Sequence, residues 1–91
     1  MTEELEVIIS GRVQMVMFRD FATRKAKKLG IVGFVKNNDD GTVTAIAQGE
    51  RKLLERYLSY LRRGPLFARV TNVETRWGIP REQYNNFSIR Y

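Results

Sequence analysis

The sequence predicts an α+β sandwich in which two helices lie on one face of an antiparallel sheet, in the order β-α-β-β-α-β. Three observations lead there. Short apolar segments alternate at period 2, two longer segments repeat at the 3.6-residue period of a helix, and a single Asp-Gly turn joins two of the short ones. The chain has 91 residues, 43% of them hydrophobic, and no cysteine, so one modest core must hold it without disulfides.

Leu5, Val7 and Ile9 share one face of the first strand, which Ser10-Gly11 closes. From Phe18 the period changes. Phe18, Phe21, Ala22, Ala26 and Leu29 fall at helical spacing with Arg24, Lys25, Lys27 and Lys28 opposite, and Gly30 is a left-handed stop. Ile31–Val35 and Thr42–Ala47 flank Asn38-Asp39-Asp40-Gly41, whose Asp-Gly pair is expected to supply the positive-φ residues of a tight hairpin. A second helix runs from about Glu50, with Leu53, Leu54, Tyr57, Leu58 and Leu61 as its stripe, Arg62-Arg63 in its last turn and Gly64-Pro65 as its stop. Arg69–Trp77 and the short Phe87–Tyr91, where Phe87, Ile89 and Tyr91 alternate, are the remaining strands.

This is the split βαβ, or ferredoxin-like, arrangement. No repeat, linker or low-complexity stretch interrupts it, so residues 1–91 are read as one domain. The fold hosts many functions, and function has to be argued from a site.

Composition narrows the chemistry. The chain has no histidine and no cysteine. Thiolate and imidazole metal ligands are therefore missing, the carboxylates lack the spacing of a calcium loop, and no metal or other cofactor is expected. Nucleophilic mechanisms that borrow a histidine base are excluded as well. Arg, Lys, Asn, carboxylates and backbone amides remain. Met1–Glu6 is acidic where a secretory signal would be basic, and Val7-Ile8-Ile9 is too short to span a membrane; a cytoplasmic protein with no membrane partner is expected. The net charge of +6 points to an anionic partner.

Gly11–Arg19 joins the first strand to the first helix. Such a loop brings unpaired backbone amides and the positive end of a helix dipole to one point, and Arg19 adds a two-pronged donor there; the group they match is an oxyanion such as phosphate. On spacing alone, an ordinary connecting loop followed by a solvated arginine is the stronger reading.

Gly11-Arg12-Val13-Gln14-x-Val16-x-Phe18-Arg19, followed by Gly33-Phe34-Val35-Lys36-Asn37 and Asp40-Gly41-Thr42-Val43, resembles the acylphosphatase family. The resemblance extends over nearly the whole chain, through Gly30, Gly49-Glu50, Gly64-Pro65, Ala68-Arg69-Val70 and Phe87-Ser88-Ile89. It implies hydrolysis of acyl phosphates, the anhydrides of a carboxylic and a phosphoric acid, to carboxylate and inorganic phosphate. By the resemblance, the phosphate loop is Gln14, Met15, Val16, Met17 and Phe18 together with Arg19, the phosphate-binding arginine is Arg19, and the water-orienting amide is Asn37. The alternative is a catalytically weak or inactive anion-binding module of the same fold. Partners are then a small acyl phosphate and inorganic phosphate, acting on a monomer.

Where the family pattern has Gly-Val-Gly or Gly-Val-Phe before Phe-Arg, this chain has Met15-Val16-Met17. Met15 replaces the more regular glycine, so a left-handed conformation there would be strained. Other features read as ordinary structure. Arg24-Lys25-Ala26-Lys27-Lys28 is the solvated side of a helix, and nucleic acid is not expected as a partner, because Phe34 is the one aromatic in the hairpin strands. Tyr57, Tyr60 and Trp77 read as packing residues, and Asn38 as a turn residue.

Overall fold

A computed structural model describes residues 1–91. The strands β1 (Glu3–Arg12), β2 (Val32–Asn37), β3 (Val43–Gly49), β4 (Arg69–Gly78) and β5 (Phe87–Arg90) form one sheet in the order β4-β1-β3-β2-β5, with helices α1 (Phe18–Leu29) and α2 (Arg51–Arg63) between them in sequence. The ferredoxin-like α+β architecture is present, but a fifth strand follows the expected β-α-β-β-α-β order, and it breaks the antiparallel pattern. β5 lies parallel to β2, with Gly33 opposite Phe87 and Val35 opposite Ile89, and the sheet is mixed.

Alternation along the strands decides what the helices cover. Leu5, Val7 and Ile9 of β1, Val35 of β2 and Val43, Ala45 and Ala47 of β3 turn to the helix face and are fully buried. Ala22 and Ala26 of α1 meet them with small side chains, and Leu54, Tyr57 and Leu61 of α2 complete the layer. The Tyr57 hydroxyl donates to the Ala22 carbonyl at 3.1 Å, so the largest buried side chain is also satisfied, and burial pushes its phenol pKa up. Gly30 ends α1 with φ 71°, and its N–H donates back to the Lys27 carbonyl at 3.2 Å, as the sequence predicts for a left-handed stop.

The second face of the sheet is partly covered too. β4 and β5 occupy opposite edges, so residues 79–86 must cross the sheet between them. In crossing, the Glu82 carbonyl accepts from Gln48 Nε2 at 2.6 Å, Arg81 Nε lies 3.3 Å from Glu4 Oε2, and Tyr84 packs edge-on against Phe34. Glu4 and Gln48, which bond to this strap, are buried. Arg90 stacks over Phe34 at 3.8 Å, so the aromatic of the central strands is occupied by the protein itself.

The hairpin corrects one sequence expectation. Of the Asp-Gly pair only Gly41 has positive φ, at 91°, and the strands stop at Asn37 and resume at Val43. Asp40 instead turns its carboxylate back to accept from the Thr42 N–H at 3.0 Å and the Thr42 hydroxyl at 2.6 Å. That local bonding makes a wider loop than a two-residue turn. No helix is long and apolar enough to cross a membrane.

Candidate active site

The pairing of β1 with β4 shifts between Ser10 and Gly11, and Gly11 takes φ 120° with its α-hydrogens against the Arg69 carbonyl, where a Cβ would collide. Past this irregularity Gly11 still pairs with Val70 and Arg12 with Arg69, so the strand runs on beyond the expected Ser10-Gly11 close before Val13 anchors the chain in the core. The next residues alternate. Gln14 turns toward the β2–β3 hairpin, where its Nε2 donates to the carbonyls of Asn38 at 2.8 Å and Thr42 at 2.9 Å. Met15 turns out, Val16 packs on the core, and Met17 turns out again. Met15 is 100% exposed and Met17 71%. Both have left-handed backbones, at φ 61° and 62°.

These two turns aim the loop into the start of α1. The first helical bond runs from the Phe21 N–H to the Met17 carbonyl at 3.0 Å. The N–H groups of Gln14, Met15, Val16 and Met17 donate to no backbone carbonyl, and those of Phe18, Arg19 and Asp20 precede the first donor of the helix. The loop therefore ends in unpaired donors at the positive end of a helix dipole, the arrangement that suits an anion.

Arg19 sits in the first turn with its guanidinium 4.9 Å from the centre of the Tyr91 ring. It makes no ion pair; its neighbour Asp20 is held by Arg24 at 3.0 Å. Asn37, at the end of β2, faces the same cleft, and its Oδ1 is buried without a hydrogen-bond partner. An unpaired buried acceptor costs about 1–3 kcal/mol, so it calls for a donor from solvent or ligand. Asn38 is different: its Nδ2 donates to the hydroxyls of Thr42 at 2.9 Å and Thr44 at 2.7 Å, as befits a turn residue.

The cleft has a volume of about 530 Å³ and is walled by Val13, Met15, Met17, Phe18, Arg19, Asp20, Asn37, Ile89 and Tyr91. Of the expected loop residues, Met15, Met17, Phe18 and Arg19 line it, whereas the side chains of Gln14 and Val16 fasten the loop from behind. Ile89 and Tyr91 were not anticipated as site residues. The alternation of Phe87, Ile89 and Tyr91 was the available signal, since it sends all three to the helix face once β5 pairs with β2. Chemically, a guanidinium, free amides and one orphan acceptor can bind an oxyanion and hold a water beside it.

The acylphosphatase family model matches residues 5–89. An acylphosphatase of Dehalococcoides mccartyi is 40% identical over 88 residues, which are 96% of this chain and 97% of the relative. One of Thermotoga maritima is 44% identical over 87 residues, covering 96% of each. The crystal structure of acylphosphatase from Bacillus subtilis superposes with a TM-score of 0.95 at 35% identity, covering 98% of this chain and 99% of that one. Sequence, fold and extent agree, and the chain belongs to the acylphosphatase family.

Proposed function

We propose that this chain hydrolyses acyl phosphates in the cleft between the β1–α1 loop, the end of β2 and β5, as a cytoplasmic monomer acting on a free small molecule. The observation that carries the assignment of roles is the placement of an unpaired Arg19 and an unpartnered Asn37 Oδ1 in the wall of one cleft, beside unused backbone amides. Arg19 and the amides hold the phosphoryl oxygens. Asn37 Oδ1 accepts a hydrogen bond from the attacking water and fixes its direction. The water oxygen bonds to phosphorus as the bond from phosphorus to the acyl oxygen breaks; carboxylate leaves with the bonding pair, and the water proton passes to a phosphoryl oxygen, giving dihydrogen phosphate.

Neither protein side chain exchanges a proton, because a guanidinium stays charged and a carboxamide does not titrate. Rate enhancement then comes from positioning and from charges fixed in advance around the transferring phosphoryl group. Steady-state hydrolysis of benzoyl phosphate by the purified protein and by Arg19→Ala tests the reading. Loss of the guanidinium is expected to cost at least ~2 kcal/mol in kcat/KM, that of a charge-assisted phosphate contact. Phosphate binding without turnover would leave a non-catalytic anion-binding module in its place.

A further inference from the structure

The cleft is larger than a phosphoryl group, and its walls divide by chemistry. Arg19, Asn37 and the loop amides supply the polar groups. Met15, Met17, Ile89 and Tyr91 supply apolar lining, with the Tyr91 ring 4.9 Å from the Arg19 guanidinium. We infer that this apolar lining binds the acyl half of the substrate, and that the enzyme selects acyl phosphates whose acyl group is aromatic or branched and uncharged over those carrying a second anionic group. The inference rests on the cleft being the site of acyl phosphate hydrolysis.

Two features support it. The first is charge. Arg19 is the only cation in the cleft wall and is committed to the phosphate, while Asp20, the only carboxylate there, is already paired with Arg24. A second carboxylate on the acyl group would find no unpaired cation in the cleft wall. The second is the state of the methionines. Both are left open to solvent by every other part of the chain, and both hold left-handed backbones that place their side chains at the rim. An acyl group lying in the cleft would cover that apolar surface, and a flexible thioether adapts well to a flat or branched group.

The test compares kcat/KM for benzoyl phosphate with that for succinyl phosphate, in the parent and in Met15→Lys, Met15→Gln and Met17→Gln. Taking the ratio within each protein cancels any common effect on the phosphate loop, and comparing ratios between proteins cancels the intrinsic reactivity of the two anhydrides. The ratio is expected to fall about tenfold in Met15→Lys, which supplies the missing cation, and about threefold in the Gln variants. Benzoate is expected to inhibit the parent more strongly than succinate. Ratios that stay within twofold of the parent, with both substrates hydrolysed, would overturn the inference and leave the hydrolase reading standing. Absence of any hydrolysis by the parent would overturn that reading, and the inference with it.

Discussion

Met15 and Met17 hold left-handed backbones, so whatever strain their side chains cause is borne by the folded protein itself. The sequence suggested strain at Met15 from its place in a glycine pattern, and its φ of 61° lies in the left-handed region where a side chain causes that strain. A non-glycine residue in this region costs about 1–2 kcal/mol, and glycine returns part of the gain through the entropy of the unfolded chain. Met15→Gly is therefore expected to raise the melting temperature by roughly 4 °C, the shift for a net gain near 1 kcal/mol in a domain of this size, as read by thermal unfolding. Asn37→Ala is expected to lower kcat by about tenfold to a hundredfold, as for a misplaced reactant, while competitive inhibition by inorganic phosphate persists, because anion binding belongs to the loop and Arg19. The pH profile of kcat/KM between about pH 6 and 7 is expected to follow the second ionisation of the phosphate group alone, since the chain has no histidine and neither proposed group titrates.

Elements whose ends are set by local chemistry were legible. Gly30 and Gly64-Pro65 stop the helices where the sequence places the stops, because a left-handed glycine or a proline acts within a few residues of itself. The hairpin was legible as a hairpin but not as a turn type, since the Asp40 carboxylate could stay in water or turn back on Thr42, and only the second makes the observed loop. That carboxylate carries a prediction. Its bonds from the Thr42 hydroxyl and N–H hold the Asp40 pKa below its ordinary 3.8. A carboxylate lowered by folding adds stability above its unfolded pKa and loses it as pH falls through the folded one. Thermal melts taken downward from about pH 5 should show the parent losing stability faster than Asp40→Asn, which cannot titrate. Through Gln14, which bonds the Asn38 and Thr42 carbonyls, the same hairpin steadies the phosphate loop, a link that no spacing in the sequence displays.

Strand partners belong to the scale of the whole molecule, and they were the least legible feature. Nothing in Phe87–Ser88–Ile89 says that it will lie parallel to β2 at the sheet edge, yet that pairing brings Tyr91 over Arg19 and Ile89 into the cleft. It also obliges residues 79–86 to cross the other face, where Gln48 joins Glu4 at 2.9 Å to the Glu82 carbonyl. Gln48→Ala would leave the Glu4 carboxylate buried with one bond fewer, and a loss of about 2–3 kcal/mol is expected from urea unfolding. The charge of +6 acts over the same scale. Raising ionic strength from about 0.01 M to 0.15 M is expected to lower kcat/KM for an anionic substrate chiefly through KM, because the screening length falls from about 30 Å to 8 Å.

The position of β5 also bears on timing. A chain is made from its N-terminus, and β1, α1, the hairpin, α2 and β4 all emerge before Phe87. The wall formed by Ile89 and Tyr91 has to wait for the last strand to dock on Gly33–Lys36. Docking of this last strand both completes the core, through Phe87, and gives the cleft its final wall.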